Sequence, residues 1–288
     1  MLPLAFAALL LSADGTVARS DDRESPDLGV TRYHDPRTPR SIHLGLDFGG
    51  MALPAGLGPL DRTVWTLRGG PAWSIRVAKW MSLGGRHGIT FFDAGAARLR
   101  VHDHQLEAAL HPMVQAGVRR VHDRLVLGVE THALLETRVD HKPFKLGGVR
   151  DTVAYVGYGV EHRVAERWAF GWQAYYRHAW VFKDTQRQVR GAMRVAFMPK
   201  AGHRVALEAI GIFVDRDPDQ AGVSLPRRGV YGQIAGEYGW IAKAGVGPFV
   251  RARVASGFLG GEMPIMEIRH ETLQTPWADV TLGLRATF

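Results

Sequence analysis

Arginines occur in pairs along this sequence, separated by two or four positions. In a β-strand this spacing places both side chains on one face, because successive side chains alternate between the two faces. The pairs are Arg98 with Arg100, Arg190 with Arg194, and Arg251 with Arg253. Guanidinium groups bind anions, and they also form bidentate hydrogen bonds with carboxylates. The pattern therefore leaves two interpretations open, an anion-attracting surface and a closed network of arginine–carboxylate pairs.

Nucleophilic and metal chemistry have weaker support. The 288 residues contain no cysteine, which excludes a thiolate nucleophile, a disulfide and a cysteine metal site. Thirteen histidines are present, but no His-x-Ser arrangement occurs. The segment HDH at 102–104 could bind a metal through two histidines on one face, although two such ligands do not specify a site. Phosphate-binding loops and dinucleotide-binding glycine motifs are absent from the sequence, so we predict no metal and no cofactor.

Long segments of alternating polarity must position the arginines. The clearest is RWAFGWQAYYRHAWVF at 167–182, which is far longer than an average strand of about 5–6 residues. Its length and strict alternation indicate a strand that crosses a layer roughly 25 Å thick at a tilt. Trp168 lies near one end, and Tyr176, Trp180 and Phe182 lie near the other. These positions are typical of the two aromatic girdles of a membrane barrel.

Similar segments recur from residue 41 onward, separated by polar connections of alternating length. We predict an all-β protein, a transmembrane antiparallel up-and-down β-barrel of about twelve strands, with ten or fourteen as alternatives. The predicted strands cover 41–50, 72–83, 88–101, 105–121, 124–138, 149–163, 167–182, 188–198, 204–215, 228–241, 246–258 and 277–288. The stretch 51–71 is then a long first external loop, 183–187 is a further long connection, and the segments at 102–104 and 122–123 are turns.

The first 40 residues are expected to lie outside the barrel. MLPLAFAALLL is an apolar run shorter than the ~18 residues that a spanning helix needs. The small residues Thr16 and Ala18 follow it at the spacing of a cleavage site, although no Lys or Arg precedes it. We therefore predict a signal peptide over 1–18, a polar periplasmic lead-in over 19–40 and the barrel over 41–288.

The last nine residues, VTLGLRATF, alternate apolar and polar side chains and end on an aromatic residue. They resemble the C-terminal assembly signal of bacterial outer-membrane β-barrel proteins, with matches at Val280, Leu282, Leu284, Ala286 and Phe288. The resemblance implies insertion into a Gram-negative-type outer membrane by the barrel-assembly machinery, with outer-membrane lipid as a second partner. It does not indicate a subfamily.

If the apolar face of each strand meets lipid, the polar face lines the lumen. The predicted lumen residues are Arg98, Arg100, Arg119, Arg177, Arg190, Arg194, Arg251, Arg253, Glu130 and Glu237. An arginine-rich lumen favours anions, so we expect either a small, passive, porin-like pore for small anionic solutes or a structural barrel filled by ion pairs. The alternative is an outer-membrane hydrolase that acts on lipid or peptide at the external rim.

Composition limits the remaining classes. Hydrophobic residues make up 46% and charged residues 22% of the chain, which excludes a disordered tail and a helical membrane protein. The net charge is +8. Nucleic acid is nevertheless not an expected partner, because the basic residues alternate with apolar ones and form no continuous patch.

Overall fold

Twelve long strands and one short strand dominate the described part of the chain. The structure is a computed structural model that describes residues 42–53, 64–93, 97–116, 121–139, 142–143, 150–165, 167–181, 184–199, 203–216, 227–240, 246–257 and 276–286. The elements are β1 (Ile42–Leu53), β2 (Val64–Ala78), β3 (Met81–Asp93), β4 (Ala97–Leu110), α1 (Pro112–Gln115), β5 (Val121–Val139), β6 (Lys142–Pro143), β7 (Arg150–Ala165), β8 (Trp168–Val181), β9 (Asp184–Phe197), β10 (His203–Arg216), β11 (Arg228–Trp240), β12 (Val246–Ala255) and β13 (Trp277–Ala286).

All strand pairs are antiparallel, and each long strand pairs with its neighbours in the chain. The first and last strands also pair, with Gly50 of β1 opposite Leu282 of β13. Strands β4 and β5 pair from Ala97 opposite Val139 to Leu110 opposite Leu125, so the pairing continues around all twelve long strands. The short β6 pairs only with the end of β5. This arrangement confirms the predicted antiparallel up-and-down barrel of about twelve strands.

The two faces of the strands have the polarity of a membrane barrel rather than that of a soluble one. Apolar side chains are exposed on one face, including Leu106, Leu127, Val129, Met193, Val195, Leu207, Ile234, Val254, Val280 and Leu282. Polar and charged side chains are buried on the other, including Ser74, Arg76, Asp103, Glu107, Gln186, Gln188, Arg194, Glu208, Gln233, Glu237, Arg251 and Arg253. We call these the exposed face and the buried face.

Aromatic side chains are exposed near both ends of the strands. Trp168 begins β8 and contacts Phe197 at the end of β9, with 4.6 Å between the ring centroids. Tyr176 and Trp180 are exposed nearer the other end of β8, and Phe182 lies outside the described residues. Within the described residues, no helix has the length and apolar character needed to cross a membrane.

Three predicted connections in the N-terminal half are wrong. The predicted loop at 51–71 contains the start of β2 at Val64. A turn at 79–80, inside the predicted strand 72–83, connects β2 to β3. The HDH segment lies inside β4, and the HD segment at 122–123 lies inside β5. The predicted strand over 105–121 extended too far because Val114 and Ala116 continue the alternation of β4. The chain instead leaves β4 at Leu110 and forms α1. Proline at the first helical position favours that helical turn, since its fixed φ suits a helix start.

A fourth correction concerns the connection between β8 and β9. The polar stretch 183–187 was predicted as a long loop, but β9 already begins at Asp184. Polar residues at this end of β9 are compatible with a strand because Gln186 and Gln188 belong to the buried face, where polar side chains are the rule. Residues 140–149, which include the short β6, and residues 217–227 and 256–276 connect long strands at this same end of the barrel, which we call the long-connection end.

Candidate functional site

The buried face of β4, β5, β7 and β8 carries more acids than bases. Among the described side chains it holds four carboxylates, Asp103, Glu107, Glu130 and Glu161, and two guanidiniums, Arg124 and Arg177. We call this the acidic wall. Alternation places these residues there, because each shares its sequence parity with the buried residues of its own strand.

A tyrosine organises the centre of the acidic wall. The hydroxyl of Tyr155 donates a hydrogen bond to Glu107 Oε2 at 2.8 Å and accepts one from Gln105 Nε2 at 2.8 Å. Tyr155 lies directly opposite Gly128 in the register of β5 and β7. A Cβ at position 128 would overlap the Tyr155 ring, so only glycine leaves enough space for the ring. The neutral donor thus satisfies a buried carboxylate without adding a charge.

A bidentate ion pair lies beside this tyrosine. Arg177 donates from Nη2 to Glu130 Oε2 at 2.7 Å and from Nη1 to Glu130 Oε1 at 3.2 Å. Both side chains are almost buried, at 13% and 14% exposure. The same guanidinium lies 5.8 Å from the ring centroid of Tyr155, within the range of a cation–π interaction. These contacts fix the charge of Glu130 in place and link β5, β7 and β8.

Asp103 is held by a neutral donor as well. Thr90 Oγ1 donates to Asp103 Oδ2 at 2.6 Å, and His132 Nε2 lies 3.9 Å from Oδ1. The flanking His102 and His104 belong to the opposite face, where His104 Nδ1 lies 2.8 Å from His87 Nδ1. Within the described residues, no group of three or more His, Cys, Asp or Glu side chains could hold a metal ion. The HDH segment therefore divides between two faces instead of forming one site.

A serine and a histidine meet where the chain leaves β4. The Nδ1 of His111 lies 2.8 Å from the carbonyl oxygen of Asp123, which can only accept, so Nδ1 carries the proton. In the neutral ring Nε2 then accepts from Ser82 Oγ at 3.0 Å. Burial lowers the pKa of His111, which favours this neutral form. The carboxylate of Asp123 accepts from the Met113 backbone N–H and from the Tyr158 hydroxyl, and so ties α1 to β5 and β7.

The buried face of β9 to β12 has the opposite charge. Its described side chains include six arginines, Arg190, Arg194, Arg204, Arg216, Arg251 and Arg253. Two glutamates accompany them, Glu208 and Glu237. We call this the arginine wall, and its described side chains have an excess of four positive charges. The described side chains of the acidic wall beside it have an excess of two negative charges.

Carboxylates and neutral amides both contact this arginine wall. Arg251 Nη2 donates to Glu208 Oε2 at 3.4 Å, and Glu208 Oε1 accepts from Gln173 of β8 at 3.3 Å. Near the long-connection end, Arg190 donates from Nε and Nη2 to Gln188 Oε1 at 3.0 and 2.9 Å. Gln188 in turn donates to Gln186 at 2.9 Å. The neutral amide of Gln188 therefore helps to orient Arg190.

The predicted lumen residues are distributed unequally between the faces. Arg177, Arg190, Arg194, Arg251, Arg253, Glu130 and Glu237 lie on the buried face. Arg100 is exposed, with its guanidinium 5.5 Å from the Phe91 ring centroid, so its predicted lumen position is wrong. The reason is the misplaced turn, since Arg100 shares the parity of the exposed Leu106 within β4. The side chain of Arg98 and the whole of Arg119 lie outside the described residues.

The predicted assembly segment is described in part. Val280 and Leu282 are exposed on β13. Leu284 and Ala286 belong to the same strand, and their side chains lie outside the described part of the structure, as does Phe288 altogether. The assembly role stays a prediction.

Sequence reasoning did not identify Asp103, Tyr155, Ser82 or His111 as site residues. Asp103 was assigned to a turn because the strand boundaries of β3 and β4 were misplaced. Tyr155 was overlooked because a tyrosine suits either face of a barrel strand. Ser82 and His111 lie 29 residues apart, and no local spacing connects them. A register of β3 against β4 would have revealed the pair, because Ser82 lies opposite Ala109.

Comparisons with known proteins concern the fold. No family model and no curated protein matches the sequence. The NanC porin structure matches with a TM-score of 0.52 and 10% identity over 84% of this chain and 100% of that chain. LpxR from Salmonella typhimurium matches with a TM-score of 0.52 and 8% identity over 85% and 100%. Both likenesses confirm the predicted fold: the chain has the fold of the bacterial outer-membrane β-barrel proteins.

Proposed function

We propose that the barrel is a small passive pore for anionic solutes, with the buried face as its lumen. The observation that carries the proposal is the arginine wall, where six arginines accompany two glutamates on four adjoining strands. Fixed charges in a narrow channel act across a low dielectric, so an excess of one sign attracts the opposite ion. The second interpretation from the sequence, a closed network of ion pairs, fits the acidic wall better than the arginine wall.

The burial of the arginines sets the expected size of the pore. Arg194, Arg251 and Arg253 are buried against their neighbours although they belong to the polar face. Barrels of about eight strands are filled by side chains and those of roughly 16–18 strands hold a water-filled channel, so long buried side chains should leave a narrow path in a barrel of about twelve. The path for solutes is accordingly narrow, and we expect low conductance and passage of small anions only.

The test is the single-channel conductance of the refolded protein in a planar bilayer under a salt gradient. Stable steps with a reversal potential that indicates anion preference are expected. The double substitution Arg190→Glu with Arg194→Glu should abolish or reverse that preference, because it changes the charge of the wall by four units. Arg167→Glu is the control, since Arg167 is exposed at the opposite end of the barrel from the long connections. Inserted protein without conductance would refute the pore.

A hydrolase is the second candidate, and the Ser82–His111 pair favours it. A nucleophile, a base and a group that orients the base are the components of acyl-transfer sites. The pair differs from the predicted rim site in two respects. It lies at the end of the barrel opposite the long-connection end. Ser82 is 0% exposed, so a substrate carbonyl could reach it only after local opening. Covalent labelling of Ser82 by a fluorophosphonate, lost in Ser82→Ala, would support the hydrolase, and an unlabelled wild-type barrel would exclude it.

A further inference from the structure

A row of charged side chains crosses the exposed face near the long-connection end of the barrel. Cross-strand register aligns His178 of β8 with Arg187 of β9, Arg187 with Asp215 of β10, and Asp215 with Arg228 of β11. Arg227 adjoins the row at the start of β11. We call these five residues the basic row. Its members come from four consecutive strands, so the barrel itself holds them in line.

The basic row has an excess of positive charge that is accessible from outside. Arg228 Nε lies 3.3 Å from Asp215 Oδ1, and Arg227 Nε lies 3.7 Å from the same oxygen. The side chains of Arg227 and Arg228 are 55% and 67% exposed, whereas that of Asp215 is 19% exposed. One carboxylate thus serves two guanidiniums, and Arg187 adds a third cation to the row. Exposed pairs of this kind contribute little to stability, so stability alone does not explain the arrangement.

An apolar row lies directly beside the basic row. Two residues along each strand, on the same face, are Tyr176, Val189, Phe213 and Val230, and all four are exposed. These residues are also cross-strand partners, Tyr176 with Val189, Val189 with Phe213, and Phe213 with Val230. The exposed face therefore changes from apolar to cationic within one step of the strand period. Charges on the lipid-facing surface of a barrel are costly at the bilayer midplane and tolerated near the interfaces, so this step marks the level of the lipid headgroups.

We propose that the basic row binds the phosphate groups of lipid headgroups in the leaflet at the long-connection end. Guanidinium groups bind phosphate oxygens through two parallel hydrogen bonds, and three guanidiniums in one row can engage more than one phosphate. Trp180 lies one step beyond His178, with 4.3 Å between the ring centroids, and adds an interfacial aromatic at that level. The lipid chains would then lie over Tyr176, Val189, Phe213 and Val230. The proposal rests on the barrel fold and does not depend on whether the lumen conducts.

Native mass spectrometry of the full chain, refolded in a neutral detergent, tests this binding. The probes are dioleoyl phosphatidic acid, which carries a phosphate monoester, and dioleoyl phosphatidylcholine, whose headgroup is zwitterionic. We expect tighter binding of phosphatidic acid. Arg187→Gln with Arg228→Gln should weaken that binding about fivefold for each arginine removed, as expected for basic residues at an anionic surface. Equal binding of the two lipids, or unchanged binding by the double variant, would overturn the proposal.

Two further measurements separate the alternatives. Arg167→Gln removes an arginine that is also exposed but lies at the opposite end, and it should bind phosphatidic acid as the wild type does. Excess inorganic phosphate should compete poorly, because it lacks the chains that cover the apolar row. Full displacement by inorganic phosphate would identify a free-anion site and refute the lipid. The shift of each variant between unboiled and boiled gel samples verifies that the barrel has folded, so a loss of binding reports the site.

Discussion

The acidic wall and the arginine wall occupy neighbouring strands of one barrel, yet they satisfy their charges differently. In the acidic wall, Glu107 and Asp103 accept hydrogen bonds from the neutral hydroxyls of Tyr155 and Thr90, and Glu130 has a bidentate arginine. In the arginine wall the cations exceed the carboxylates. The paired carboxylates of the acidic wall connect neighbouring strands. The excess of arginine gives the other wall a positive electrostatic potential. In the proposed pore, β4, β5, β7 and β8 support the barrel, and β9 to β12 supply the charge that attracts anions.

The largest expected effect is on the Glu130–Arg177 pair. Arg177→Met leaves Glu130 nearly buried without its partner, and we expect a loss of about 3 kcal/mol in the free energy of unfolding. Urea unfolding in lipid vesicles measures it. The double variant Glu130→Leu with Arg177→Met should be more stable than Arg177→Met alone, because no charge is left unpaired. Equal losses in both variants would show that packing, rather than charge, holds this part of the acidic wall.

Tyr155→Phe should have the next largest effect. The change removes the donor to Glu107 and the acceptor for Gln105, and the loss of these two hydrogen bonds should cost about 2 kcal/mol. The same urea titration measures the loss. Tyr176→Phe is the matched control, since Tyr176 is exposed and should change the stability by less than about 0.5 kcal/mol. A neutral result for Tyr155→Phe would refute the supporting role of this wall.

A smaller effect is expected when one charge is neutralised on each wall. Arg253→Gln should reduce the ratio of anion to cation permeability roughly twofold, because it removes one of six arginines from the field. Glu107→Gln should leave that ratio nearly unchanged and should lower stability instead. Reversal potentials under a salt gradient measure both. Equal shifts of opposite sign would mean that the two walls contribute equally to selectivity.

The smallest expected effect is the pH dependence that His111 contributes to stability. Because burial lowers the pKa of His111 below 6.5, the unfolded chain binds a proton at a higher pH than the folded barrel does. The contribution of His111 to stability is therefore fully present above about pH 6.5 and is lost as the pH falls toward the lower pKa of the folded state. Urea midpoints from pH 8 to pH 5 should decline less in His111→Gln. An identical decline would assign the pH dependence to other groups.

The regular part of the barrel could be predicted from alternation, because apolar residues meet lipid at every second position over long strands. For β8 and β10 to β12, the predicted and observed elements agree closely, and β9 differs mainly in its earlier start. Arg190, Arg194, Arg251 and Arg253 lie on the buried face. Between β2 and β5 the predicted turns were misplaced for two reasons. The polar HDH segment has the composition of a turn, and Val114 and Ala116 continue the alternation of a strand. One displaced turn moved Arg100 to the other face.

The sequence by itself determined the class of the protein, since strict alternation over long segments is compatible with few structures other than a lipid-facing barrel. It also determined the excess of arginine near the C-terminal strands. Only the tertiary structure decided which partners those charges have. Ser82 meets His111, and Tyr155 meets Glu107, across 29 and 48 residues of chain. Such pairs depend on the register between strands, and register arises from the closure of the whole ring rather than from any local spacing.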